Sequence, residues 1–245
     1  MPRVFAIADL HLSFRGDKPM DRFGPVWVRH WEKVEQHWRE RISTEDLVLM
    51  PGDHSWGLRL EDARQDLEFI QSLPGVKVLS RGNHDYWWQS LSKLRKAFPG
   101  LRFLQNDSVR FGDLAVCGTR GWDLRPVRGF ADPHDEQIYV REVERLRLSI
   151  ASMPEDAACR IAMIHYPPLL PGQKDTEFSR LLSDSGIQVC VYGHLHLANI
   201  DDESSGPPPK GFQGEYRGVR YYLVACDRLG MVPLEIPVLR TEVCS

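Results

Sequence analysis

The sequence predicts an α/β fold built from parallel crossover units. Three observations carry that prediction. Short apolar runs alternate with segments of helical periodicity. Five of those runs end within a few residues of a polar cluster. The alternation breaks down only in the C-terminal part. Alternation of this kind is what a parallel sheet with crossover helices requires.

Taken in order, residues 4–8 form the first apolar run, short and rich in Val, Ile and Ala, which reads as a buried strand. Residues 27–42 place Trp27, Trp31, Val34, Trp38 and Ile42 at spacings of four, three, four and four, an amphipathic helix. Residues 47–50 and 76–79 read as strands, with a shorter helix over 60–73 between them and another over 91–98 after them. Residues 114–117 read as a strand. Over 136–150, Tyr139, Val143, Leu146 and Ile150 recur at helical spacing among Arg and Glu. Residues 161–164 and 189–192 are the last two buried strands of this pattern. Then the character changes: 220–225 and 231–236 are strand-like and joined by 226–230, which predicts an antiparallel pair. No internal repeat and no linker-like boundary interrupts the chain, so residues 1–245 are expected to form a single domain.

Composition narrows the class. At 245 residues, with 42% hydrophobic and 27% charged residues, an ordinary soluble core is expected. A formal charge of −3 provides no global basic field to attract nucleic acid. No apolar stretch approaches the roughly 20 residues needed to span a bilayer. The first residues pass directly into a strand without a charged leader and apolar segment. Cys117, Cys159, Cys190, Cys226 and Cys244 are scattered and lack close pairing, which reads as reduced thiols. These points together predict a cytoplasmic protein.

Three irregular segments stand out. Residues 199–218 are rich in Asp, Ser, Gly and Pro, centred on Pro207, Pro208 and Pro209, and read as a long surface loop, with a substrate-facing loop as the alternative. Residues 12–25 carry Arg15, Lys18 and Arg22; residues 119–135 carry Arg120, Trp122, Asp123, Arg125 and Arg128. Both are expected on the rim of one strand-end face.

The chemistry lies at the ends of the five strands. They are followed by Asp9 and His11, by Gly52-Asp53, by Gly82-Asn83-His84-Asp85, by His165, and by His194 and His196. Ligands of open α/β sheets bind beyond the carboxyl ends of strands. In extended chain, residues i and i+2 point to one side, so Asp9 with His11, and His194 with His196, could each face a shared region. Each pair alone is weak evidence. Gly beside the Asp and Asn clusters lets the backbone turn sharply next to a ligand. The donors are carboxylate, amide and imidazole, with no thiolate, which suits Mn, Fe, Zn, Co or Ni. Their number exceeds what one tetrahedral ion needs, so two divalent ions bridged by a shared carboxylate is the economical reading. Two cations beside one oxygen lower the pKa of bound water toward about 7, which suits displacement at phosphorus.

In this order, Asp9-x-His11, Gly52-Asp53, Gly82-Asn83-His84-Asp85, His165 and Gly193-His194-x-His196 resemble the calcineurin-like metallophosphoesterase superfamily. The context from Pro51 to Trp56 and from Arg81 to Trp88 resembles a small bacterial branch of predicted phosphohydrolases. The resemblance implies a four-layer αββα sandwich with mixed sheets and a dimetal site on one edge. It implies that Asp9, His11, Asp53 and His196 hold one ion and that Asp53, Asn83, His165 and His194 hold the other. It also implies that His84 protonates the leaving group. One position departs: many relatives carry an Asp three residues after the bridging Asp, which orients the acid His, where this chain has Trp56. Either Asp85, His54 or a group not evident from the sequence is then expected to supply that contact, or the acid is less well tuned. The Asp-Arg pair of Ser/Thr protein phosphatases is missing too, although Arg81 matches their Arg-Gly-Asn-His.

The expected activity is hydrolysis of small phosphodiesters by a metal-bound hydroxide, with manganese as the first choice of ion. A phosphomonoesterase is the near alternative; a nuclease and an inactive scaffold are the remote ones. Of the remaining residues, His30 and His37 read as surface or partly packed, His134 as a loop residue, and Tyr86, Trp87 and Trp88 as packing side chains rather than a substrate platform.

Overall fold

The computed structural model describes residues 2–16, 18–198 and 210–238. Most of the 199–218 loop and Cys244 lie outside the described residues. Two mixed sheets form the centre. In the first, β1 (Val4–Ala6), β2 (Leu47–Pro51), β3 (Val76–Ser80) and β4 (Leu101–Leu104) run parallel, and β11 (Leu234–Glu235) joins β1 antiparallel, giving the order β11-β1-β2-β3-β4. In the second, β6 (Leu114–Thr119), β7 (Cys159–Ile164), β8 (Val189–Tyr192) and β10 (Val219–Leu223) run parallel. Its antiparallel edges are β5 (Val109–Phe111) and β9 (Gly214–Tyr216), in the order β5-β6-β7-β8-β10-β9.

The alternation of side chains along each strand explains the layering. Val4, Ala6, Leu47, Leu49 and Val78 face Ile161, Met163, Val189 and Val191 in a layer between the sheets. The residues between them point outward. Phe5, Ile7, Val48, Met50 and Leu79 meet α1 (His30–Arg41), α2 (Arg64–Ser72) and α3 (Leu91–Ala97). Ala162, Ile164, Cys190 and Tyr192 meet α4 (Pro133–Ala151) and α5 (Glu177–Asp184). Strands buried on both faces need apolar residues at every position, which is why they read as unbroken runs rather than alternating ones. The result is the expected αββα sandwich of mixed α/β character.

Several elements differ from expectation in instructive ways. Trp27 belongs to a 3-10 turn, Pro25–Trp27, and Arg29 at φ 50° separates it from α1. α2 begins only at Arg64. α4 starts three residues early because Pro133 sits at its first position and the Asp132 side chain accepts from His134 N at 2.8 Å, a helix start of the Asp-Pro kind. α5 was not expected from periodicity; a capping box of Thr176 and Ser179 nucleates it. The predicted hairpin of 220–225 with 231–236 does not form. β8 and β9 already occupy both edges of β10, so the chain crosses to the other sheet and β11 pairs with β1 instead. His30 is buried rather than at the surface, its ring nitrogens 2.9 and 3.2 Å from the carbonyl oxygens of Leu10 and Trp27. Trp87 and Trp88 are core residues as expected, while Tyr86 is exposed. Cys117, Cys159, Cys190 and Cys226 are buried free thiols. Among the described residues no helix is long and apolar enough to cross a membrane.

Asp46 joins the start of the first strand to the turn before the second. It accepts from Arg3 N at 2.7 Å, Ser43 N at 2.9 Å and the Arg3 guanidinium at 2.9 Å. Burial pushes this carboxyl up, but the hydrogen bonds from Ser43 and Arg3 outweigh it and hold the pKa at about 2. A depressed folded pKa stabilises the fold above the unfolded value and loses that effect as pH falls through the folded one. The contribution is on the order of 2 kcal/mol at neutral pH. Urea titrations of Asp46→Ala should therefore show a deficit of that order at neutral pH which shrinks toward pH 2. A deficit that is constant with pH would mean that packing, not the carboxylate, is what the variant loses.

Candidate metal centre

The expected ligands all follow the carboxyl ends of strands, three from the first sheet and two from the second. They meet where the two sheets face each other at one edge. Backbone hydrogen bonds order the strand ends and the seam. Within the sheets, Asp9 N donates to Gly52 O at 3.0 Å, His11 N to Asp53 O at 3.0 Å and Gly193 N to His165 O at 3.1 Å; across the seam, Ala8 N donates to Val224 O at 2.8 Å and Cys226 N to Ala8 O at 3.0 Å. Asp9, His11 and His165 are fully buried, Asp53 and His196 nearly so.

The convergence does not come from extended alternation. Asp9, His11, Asp53 and His194 have φ of 60°, 45°, 54° and 70°, left-handed conformations uncommon for residues with side chains. Strain of this kind costs on the order of 1–3 kcal/mol per residue and persists where the surroundings enforce it. Glycines make room. At Gly52, φ is 91° and a Cβ would lie 2.5 Å from His165 Nδ1 and 2.7 Å from Gly82 Cα. At Gly82 a Cβ would collide with the carboxylate of Asp53.

Two overlapping groups of donors result, Asp9 with His11 and His196, and Asp9 with Asp53 and His165. In the first, the Nε2 atoms of His11 and His196 are 3.2 Å apart. In the second, His165 Nε2 is 2.6 Å from Asn83 Oδ1, and His194 Nδ1 is 3.1 Å from the same oxygen. Asp53 Oδ2 faces both groups, 3.8 Å from His11 Nε2 and 3.3 Å from His165 Nε2. The other oxygen, Oδ1, accepts from His84 N at 2.8 Å. Asp9 is held by His194 N, at 3.1 and 3.0 Å to its two oxygens. Each of the seven expected ligand residues thus has a donor atom in one region. At the rear of its ring, His165 Nδ1 lies 3.0 Å from Pro51 O, so Nε2 is left to face the site. Nitrogens that approach each other to 3.2 Å, beside two buried carboxylates and an amide oxygen, fit a divalent cation.

Electrostatics agree. Burial, opposed by His165 and His196, raises the Asp9 carboxyl to about 7. Burial also acts on Asp53, but His165, His11 and His84 overcome it and hold Asp53 well below the usual range. His165 is pushed up to about 9, because Asp53 and Asp9 outweigh its desolvation. Burial holds His11 well below its ordinary value.

His84 lies beside this cluster. Its ring centroid is 5.4 Å from that of His11 and 4.4 Å from that of Trp56. Trp56 also stacks on His11 at 4.7 Å, and Lys18 Nζ sits 4.2 Å from the Trp56 ring centroid. The indole therefore packs against both imidazoles. Asp85 is engaged by four donors. Its oxygens accept from Asp53 N, His54 N and Trp87 Nε1 at 2.9 Å each and from Gly82 N at 2.8 Å. Those bonds fix the turns that carry Asp53 and His84. His54 Nε2 is 2.9 Å from Ser80 O.

The rim segments partly match expectation. Arg120 O accepts from His165 N at 3.1 Å, so residues 119–135 begin at the site. Arg125, however, is taken up by Glu136 and Glu177. Residues 12–25 line two flanking cavities of about 310 and 290 Å³; Lys18 borders both, Trp56 the first and His11 the second. One functional residue escaped the sequence reading. Asp227 Oδ1 lies 3.2 Å from His196 Nδ1, and both residues are buried. Nothing near Asp227 in sequence links it to the strand-end clusters.

The calcineurin-like phosphoesterase family model matches residues 2–198, and the chain belongs to that family. Comparison with curated proteins gives no match. Among solved structures, a protein of unknown function from Aquifex aeolicus is similar at 13% identity and a TM-score of 0.50, with 96% of each chain covered. A candidate 5′-nucleotidase from Staphylococcus aureus is similar at 13% identity and a TM-score of 0.45, with 90% of this chain and 48% of that one covered.

The crowding at Gly82 is testable. Gly82→Ala should displace Asp53 and leave purified protein with less bound divalent metal than the parent, measured by elemental analysis, together with a lower melting temperature. Parental metal content in that variant would mean that the loop relaxes without moving Asp53.

Proposed function

We propose that this calcineurin-like phosphoesterase hydrolyses small phosphodiesters at a dinuclear centre, with His84 as the general acid. The observation that carries the proposal is the position of Asp53 Oδ2, 3.8 Å from His11 Nε2 and 3.3 Å from His165 Nε2, beside Asp9, which both donor groups share. A carboxylate so placed can serve two cations, with Asp9, His11 and His196 on one side and Asn83, His165 and His194 on the other. Divalent cations held there, Mn²⁺ first among those the donors suit, supply Lewis acidity and a water acidic enough to ionise near neutral pH.

The protein's own groups do the rest. The buried carboxylates hold negative charge where cations are needed, and the seam excludes bulk water from them, which strengthens each interaction. A leaving alkoxide needs a proton, and imidazole can supply one near neutral pH. His84 stands beside, not within, the donor groups, a position suited to serving the substrate. Its backbone N is fixed by Asp53 and its ring rests against Trp56. Packing against Trp56 thus contributes to the orientation of the acid.

Chelation tests the first half of this reading. Exhaustive treatment with chelator should abolish hydrolysis of bis-p-nitrophenyl phosphate, and Mn²⁺ should restore it. Full activity in thoroughly chelated protein would sink the assignment.

The role of His84 predicts a dependence on the leaving group. His84→Ala should retain bound metal and lose roughly 10²–10⁴-fold in kcat on alkyl phosphate esters. On p-nitrophenyl esters the loss should be smaller, because p-nitrophenolate departs without a proton. Asp85→Asn is the companion: its four N–H partners lie away from the leaving group, so it should lower stability and leave the dependence intact. An equal loss on both esters in His84→Ala would make His84 a binding group rather than an acid.

A further inference from the structure

We infer that Asp227 is a positioning residue of the metal centre, and that the turn at residues 225–228 completes the site from outside the stretch of strand-end motifs. The inference rests on the dinuclear reading above for its metal arm, but not for its account of the His196 ring. Asp227 makes three hydrogen bonds with groups of two segments. Its Oδ1 lies 3.2 Å from His196 Nδ1 and accepts from Arg228 N at 3.0 Å, while Oδ2 accepts from Leu197 N at 2.8 Å. A carboxylate can only accept, so the Nδ1 that faces it must carry the proton. That fixes the tautomer and leaves the Nε2 lone pair directed at the site, 3.2 Å from His11 Nε2. Without Asp227 the ring could place its proton on Nε2 instead, where it would oppose a cation. A carboxylate behind a ligating imidazole both orients the ring and raises its basicity.

The neighbours of Asp227 act in the same direction. Arg228 Nε donates to Leu195 O at 2.6 Å and Nη2 to His196 O at 2.5 Å, so the main chain on both sides of the ligand is clamped. Cys226 N donates to Ala8 O at 3.0 Å and its thiol to Asp9 O at 3.0 Å. Three consecutive residues thus hold Asp9 from the first sheet and His196 from the second. The failed hairpin explains how they come to be there. The chain leaving β10 must cross the seam to reach β1, and it crosses at the site.

The test compares parent protein with Asp227→Ala and Asp227→Asn. Calorimetric titration of metal-free protein with Mn²⁺ should show two sites in the parent. In Asp227→Ala one of them should weaken by about 10–100-fold while the other, served by Asn83, His165 and His194, is retained. Asp227→Asn should move in the same direction, since an amide can accept on one side only; it stands in if the alanine variant does not fold. Long-range ¹H–¹⁵N spectra of metal-free protein at alkaline pH, where imidazole is neutral, report the tautomer independently. His196 should carry its proton on Nδ1 in the parent and lose that preference in Asp227→Ala. Retention of both sites at parental affinity, or of the Nδ1–H form in the variant, would overturn the inference. A parent that binds no Mn²⁺ yet shows the tautomer change would instead refute the dinuclear reading and leave the role of Asp227 standing.

Discussion

Two carboxylates with almost no access to solvent, Asp9 and Asp53, set the terms for everything around them. An isolated buried carboxylate is costly and is retained only where charge and hydrogen bonds compensate it. Compensation here comes from both sheets. Asp9 takes the backbone N–H of His194; Asp53 takes that of His84 and faces the rings of His11 and His165. Cross-sheet partners of this kind require the two strand-end edges to stay in one register. The bonds from Ala8 N to Val224 O and from Cys226 N to Ala8 O cross the seam and hold that register. The left-handed backbones at Asp9, His11, Asp53 and His194 follow from the same demand. No regular strand end aims four side chains from three strand ends at one point, so the local strain is offset by the packed layer beneath.

That layer explains why the site can be rigid. Its apolar side chains come from both sheets, and each strand that bears a ligand contributes to it on one face and to a helix-covered core on the other. Buried on both faces, the strands cannot slip by one residue without exposing apolar side chains or burying polar ones. Asp85 carries this rigidity into the loops. One buried carboxylate ties the turn after β2 to the turn after β3, through Asp53, His54, Gly82 and Trp87.

The parts that the sequence displays are those that local chemistry must mark. The seven candidate ligands stand just after apolar runs, and Asp53, Asn83 and His194 stand beside glycines whose close contacts require them, so strand, turn and donor are read together. The central strands are equally plain because burial on both faces leaves no polar position. Less was legible where a feature depends on distant partners. β4, β5 and β9 are short, and nothing in their own residues distinguishes them from loops. α5 depends on a Thr-Ser capping box rather than on a long apolar stripe. The segment after β10 looked like a hairpin because its own pattern fits one; whether β10 has a free edge is a property of the sheet. Asp227 was invisible for the same reason. An acidic residue that follows a strand in an apolar context is common, and its meaning lies in a histidine it meets only after folding.

Trp56 shows how packing can take the place of a charge. A carboxylate behind an acid imidazole fixes the ring by a directional hydrogen bond and raises its basicity at the same time. An indole can do the first only by contact. Trp56 touches both His84 and His11, and its Nε1 is turned away, 3.1 Å from Met20 Sδ, so the ring offers these imidazoles a face rather than a hydrogen bond. Lys18 over the same indole adds a cation–π contact that holds it in place.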